Sequence, residues 1–129
     1  MKVHHIGYII KNMERAINLF GVLGYDVVAK PVLDTERKIF ICFLKNGDTV
    51  IELIESASPY SVVSGMVKKY GASPYHICYE VSSLDEAVAN LEIGGYIVTE
   101  KPMPAQALGG RRVVFMYHTQ IGLIELLEE

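Results

Sequence analysis

The chain is poor in cysteine, carries no excess of basic charge and has no long apolar run, and each shortage narrows what it can be. Its two cysteines, Cys42 and Cys78, lie in apolar, strand-like stretches. A disulfide or a thiolate ligand is one reading, but two small buried hydrophobes explain the placement more simply. Twelve Lys and Arg against fifteen Asp and Glu give a net charge of −3 and a pI near 5.8, so nothing favours nucleic acid or anionic lipid. No apolar stretch is long enough to span a bilayer. Lys11, Glu14 and Arg15 interrupt the opening residues before a secretory leader can form, which makes the cytoplasm the expected compartment. Low-complexity tracts are absent too. What remains is one domain of 129 residues, half of them hydrophobic, with enough apolar surplus to suggest a partner subunit.

What the sequence does contain, it contains twice. Val3-His4-His5-Ile6-Gly7-Tyr8 returns as Pro74-Tyr75-His76-Ile77-Cys78-Tyr79, with His5 and His76 71 positions apart. At the same offset Met13 falls on Leu84, Ala16 on Ala87, Phe20 on Leu91 and Gly24-Tyr25 on Gly95-Tyr96. Val50-Ile51-Glu52-Leu53-Ile54-Glu55 and Leu123-Ile124-Glu125-Leu126-Leu127-Glu128 align at an offset of 73. The chain is two copies of one unit, each with a His near its start and a Glu near its end.

Each copy reads as β-α-β-β-β. In the first, a strand runs over Lys2 to Ile10, and Asn12 caps a helix whose Met13, Ala16, Ile17 and Phe20 recur at helical spacing up to Gly24. Strands follow at Tyr25 to Ala29 and Lys38 to Leu44, and Asn46-Gly47-Asp48 turns the chain into Thr49 to Glu55. Module one spans about residues 1–56, a linker with a short helix about 57–73, and module two about 74–129. In module two, Ser82 or Ser83 caps the helix, Lys101 to Gly110 reads as a Pro- and Gly-containing loop, and Arg112 to His118 and Gly122 to Leu127 close as a hairpin.

Glu52 and Glu125 each sit between apolar neighbours, which marks strands covered on both faces. The two-residue period of a strand puts Glu52 beside Val50 and Ile54, and Glu125 beside Leu123 and Leu127. An uncompensated carboxylate there would cost several kcal/mol, on the order of the penalty for burying a charge. His5 and His76 are embedded in Val-, Ile- and Tyr-rich strands. One such His is commonly a hydrogen-bonded core residue, and one such Glu can point from a sheet edge. Packing gives no reason for both to recur at matching places. Two neutral imidazoles and two carboxylates form an N/O donor set suited to one divalent metal (Ni, Co, Zn, Mn or Fe).

These residues resemble the vicinal-oxygen-chelate superfamily, also called the glyoxalase/bleomycin-resistance family. The resemblance rests on Val3-His4-His5-Ile6-Gly7, Tyr75-His76-Ile77-Cys78-Tyr79-Glu80-Val81 and Leu123-Ile124-Glu125-Leu126, and covers essentially the whole chain. It implies an α+β fold of two βαβββ modules in tandem, forming curved half-barrel sheets, and a homodimer. It also implies the metal ligands His5, Glu52, His76 and Glu125, with His4 the alternative to His5. Two branches are similar. Glyoxalase I isomerises the hemithioacetal of a 2-oxoaldehyde, and methylmalonyl-CoA epimerase inverts the carbon next to a thioester. Both remove a proton beside a carbonyl and hold an enediolate or enolate on the metal. The complete His/Glu set makes the glyoxalase I-like lyase or isomerase the leading expectation, with Glu125 or Glu52 as base. Epimerisation of an acyl-CoA is the alternative, with Glu36 where that branch carries a second carboxylate. Ser58-Pro59, Lys68-Lys69-Tyr70-Gly71 and Gly109 to Phe115 favour the epimerase, whereas the short turn from Tyr117 to Gly122 does not. A non-catalytic small-molecule binder is the third class. Arg111 and Arg112 could clamp a CoA phosphate or a glutathione carboxylate, or form a solvated strand edge.

Overall fold

The computed structural model describes all residues, Met1–Glu129, and contains nine strands and three α-helices. It divides into two compact units, His5–Tyr75 and Met1–His4 with His76–Glu129. In chain order the elements are β1 (Lys2–Ile9), α1 (Met13–Val22), β2 (Asp26–Val27), β3 (Val32–Asp34), β4 (Ile39–Asn46) and β5 (Thr49–Ser56). They continue with α2 (Val62–Tyr70), β6 (Ser73–Val81), α3 (Leu84–Ile93), β7 (Ile97–Ala105), β8 (Arg111–His118) and β9 (Gly122–Glu128).

Within the first unit the strand order is β2-β4-β5-β1, with the short β3 also pairing β4. Within the second it is β7-β8-β9-β6. The duplication in the sequence is therefore a duplication of topology. In both, the strand bearing the Glu lies between a parallel neighbour bearing the His and an antiparallel hairpin partner. Coverage by neighbours on both edges and by a helix explains why Ile51 to Ile54 and Ile124 to Leu127 are buried without interruption.

The helices start in the same way. Asn12 accepts from the Arg15 amide at 2.9 Å, and Ser83 from the Glu86 amide at 3.4 Å. The second Glu of each repeated strand run then caps the first helical amide. Glu55 accepts from Met13 N at 2.7 Å, and Glu128 from Leu84 N at 2.9 Å. A carboxylate at this end also meets the positive pole of the helix. Met13 and Ala16 of α1 bury against Cys42, Leu44, Ile51 and Leu53, and Leu84 and Ala87 of α3 against Val114, Met116, Ile124 and Leu126. Gly24 and Gly95 follow the helices at φ values of 96° and 93°, a backbone region in which a Cβ is strained.

The structure differs from the sequence reading chiefly in three places. The strand expected over Tyr25 to Ala29 is reduced to Asp26–Val27. Val32–Asp34 forms a strand that the reading passed over, because three residues after Pro31 are too few to show alternation. The expected loop from Lys101 is strand as far as Ala105. Pro102 and Pro104 are tolerated because β7 pairs only with β8, through two register shifts, and proline is compatible with an outermost strand. Cys42 and Cys78 are both buried, and burial pushes the Cys42 thiol upward. No helix is long and apolar enough to cross a membrane.

Candidate functional site

His5 lies two positions before Gly7 on β1, and Gly7 is the register partner of Glu52 on β5. Residues two apart share a strand face, so the imidazole and the carboxylate point the same way from adjacent strands. His5 Nε2 lies 3.5 Å from Glu52 Oε1. The other unit repeats this step for step. His76 lies two positions before Cys78, which pairs with Glu125, and His76 Nε2 lies 2.9 Å from Glu125 Oε2. Exposures of His5 (1%), Glu52 (5%), His76 (3%) and Glu125 (4%) put all four among the few buried polar side chains.

Each imidazole also meets a phenylalanine edge-on. Phe43 of β4 is the register partner of Glu52, and its ring centroid is 5.3 Å from that of His5 at 78°. Phe115 of β8 is the partner of Glu125, 5.2 Å from His76 at 87°. The sequence reading missed both rings, although the hairpin registers that follow from its turns would have found them. These apolar walls fix the imidazole planes and exclude water from one side of each pair.

The remaining polar residues sort differently. Glu36 is exposed on the turn between β3 and β4. Arg111 donates from Nε to the Glu128 carbonyl at 2.8 Å and from Nη2 to Glu80, and Arg112 donates to Glu128 and Asp85 at 3.3 and 3.0 Å. Both guanidiniums are thus engaged by the chain's own acids. Arg111 also holds the Glu80 carboxyl below its ordinary range. His118 is half-buried, with its ring 4.9 Å from that of Tyr96. Asp34, which no motif singled out, is 2% exposed and pairs with Arg37 at 2.8 Å.

A family model described as the Glyoxalase/Bleomycin resistance protein/Dioxygenase superfamily matches residues 4–115. The chain belongs to that superfamily. Bovine mitochondrial methylmalonyl-CoA epimerase is 27% identical over 129 residues, covering 97% of this chain and 73% of that protein. An ethylmalonyl-CoA/methylmalonyl-CoA epimerase of Cereibacter sphaeroides is 26% identical over 118 residues, covering 90% and 87%. Among solved structures, a hypothetical protein from Bacillus halodurans superposes with a TM-score of 0.88 at 25% identity, covering 99% of this chain and 94% of that one. The Mycobacterium tuberculosis methylmalonyl-CoA epimerase superposes with a TM-score of 0.85 at 22% identity, covering 98% and 87%. The α+β architecture of paired βαβββ modules is the glyoxalase-like fold of these neighbours. The two His–Glu pairs lie on equivalent strands of the two repeats.

Proposed function

We propose that this chain is a divalent-metal-dependent epimerase of a small acyl-CoA of the methylmalonyl type. The observation that carries the proposal is the buried His–Glu pair built twice in identical register. Likeness to named epimerases across nine-tenths or more of the chain supports the choice of substrate class. It favours the acyl-CoA reading over the hemithioacetal one.

Each pair offers one imidazole nitrogen and one carboxylate oxygen from a water-poor wall, a donor set that fits a first-row divalent cation. His5, Glu52, His76 and Glu125 are the proposed ligands. When bound, the cation supplies a Lewis acid for an acyl carbonyl. The chain's own work is to move a proton. Inversion at carbon needs a base on one face and an acid on the other. Glu125, Glu52 and Glu36 are the carboxylates proposed for those roles, Glu36 from its exposed turn and the other two from their strands. A homodimer in the cytoplasm is the proposed state of the protein.

The test is a paired assay on one metal-loaded preparation. A methylmalonyl-CoA stereoisomer in deuterated water is expected to gain deuterium beside the thioester. Methylglyoxal with glutathione is expected to remain unconverted. Turnover of the hemithioacetal without deuterium uptake by the acyl-CoA would overturn the proposal.

A further inference from the structure

Arg37 carries a guanidinium whose flat edge is buried and left unspent by the chain. Asp34, buried at the end of β3, accepts from the Arg37 amide at 3.0 Å and from Arg37 Nη1 at 2.8 Å. That double grip fixes the side chain across the turn. Nε and Nη2, the two groups that form the side-on fork of a guanidinium, are buried and have no hydrogen-bond partner. Arg111 shows what this chain does elsewhere with the same edge, because its Nε and Nη2 are both taken, by the Glu128 carbonyl and the Glu80 carboxylate. A buried cationic donor left without a partner is costly, and a carboxylate or phosphate matches the fork with two parallel bonds.

The surrounding backbone is built to hold this geometry. Lys38, next in the chain, is the only non-glycine residue at positive φ, 57°, and its carbonyl accepts from the Ala57 amide at 2.9 Å. A turn tied down at both ends and strained in the middle holds one conformation. Thr35, Glu36 and Lys38, which flank Arg37 on this turn, are exposed, so the turn lies at the protein surface. Where β8 follows in the other unit, the matching residues are Gly109 and Gly110, so the fork exists in one copy only.

We infer that Arg37 anchors the substrate through an anionic oxygen pair, a carboxylate or a phosphate, gripped by its Nε–Nη2 edge while Asp34 locks the other side. The inference deepens the proposed function and rests on it for the identity of the substrate, since an acyl-CoA of the methylmalonyl type carries both kinds of anion. Arg37 is then a specificity residue adjacent in sequence to Glu36.

Arg37→Lys keeps the charge and a partner for Asp34 but loses the fork. Wild type and R37K, both full-length and metal-loaded, would be titrated with malonate and with inorganic pyrophosphate. Methylmalonyl-CoA, propionyl-CoA (no free carboxylate) and methylmalonyl-pantetheine (no nucleotide phosphates) complete the series. At least a tenfold weaker Kd for one of the two simple anions, with an unchanged melting temperature, is the expected result. A loss shared by methylmalonyl-CoA and propionyl-CoA assigns the fork to a phosphate. A loss shared by methylmalonyl-CoA and the pantetheine ester assigns it to the carboxylate. Equal Kd values for wild type and R37K with both simple anions overturn the inference, as does a loss that Arg37→Gln shows only in step with a lowered melting temperature. These are binding measurements, so a protein that grips the anions yet exchanges no deuterium refutes the proposed reaction and leaves the fork standing.

Discussion

The two repeats keep the same His–Glu step, the same phenylalanine against each imidazole and the same Glu cap on each helix, and differ in what surrounds them. Where the first unit buries Ile9 and Ile39, the second carries Glu80 and Arg111, joined as an ion pair that is part exposed. Where the first strains Lys38 into positive φ, the second uses Gly110 at 79°. Where the first has Glu36 and Arg37 on a locked turn, the second has Leu108 and Gly109. A duplicated frame can keep its symmetric pairs for a shared task while one copy specialises its turn. A small substrate with unlike ends needs that asymmetry, because a two-fold frame alone would offer it two equivalent grips.

The largest expected effects break the symmetry of the carboxylates. Glu125→Gln should lower deuterium exchange by about 10²–10⁴-fold, the usual worth of a positioned acid or base. Glu36→Gln should do the same although it has no counterpart in the other repeat, and exchange kinetics on the two variants would show it. If Glu36→Gln keeps wild-type exchange while Glu125→Gln does not, the reaction uses only the duplicated frame. Metal comes next. Adding Ni(II) or Co(II) to stripped protein at a hundred times its Kd should stabilise the fold by about 2.7 kcal/mol, as mass action requires. Calorimetry on His5→Ala and His76→Ala should show that gain lost in both, since the proposal needs one ligand pair from each repeat.

Smaller effects probe the scaffolds. Gly110→Lys should cost about 1–2 kcal/mol in denaturant melts, the strain of a side chain in the left-handed region. Lys38→Gly should change stability by less, about 1 kcal/mol or below, because relief of that strain is offset by a floppier unfolded chain. The smallest concerns acid. The Glu80 carboxyl is lowered from its ordinary 4.5 by the hydrogen bond from Arg111. Its contribution is therefore present above 4.5 and fades as the pH falls through the lower folded value. Melting temperatures measured from pH 7 to pH 3 should fall less steeply for Glu80→Gln than for wild type, and parallel curves would mean the pair is energetically silent.

Much of this was legible in the residues themselves, and the reasons are local. The βαβββ order follows from alternation, from Asn12 and Ser83 as caps, and from glycines at the helix ends. His5, Glu52, His76 and Glu125 stand out because burying such groups has a large cost and each occurs twice in the same place. The offset between repeats matches His5 with His76 and Glu52 with Glu125, whereas the parallel strand registers decide which His meets which Glu. Other features depend on registers and edges that a linear reading does not supply. The strand at Lys101 to Ala105 defied its prolines because it lies outermost, a fact about neighbours. Phe43 and Phe115 follow from hairpin registers that the turns imply, but they wall the site only once the imidazoles of β1 and β6 lie against them. Glu55 and Glu128 look like charged strand ends until the helix amide arrives above them. Arg111 and Arg37 are the same residue type in similar polar company, and only tertiary structure decided that one is spent on Glu80 and Glu128 while the other keeps a free edge. The sequence by itself determined which groups are costly to bury, since that depends on residue chemistry. The fold decided which of them meet, since that depends on distances between residues far apart in the chain.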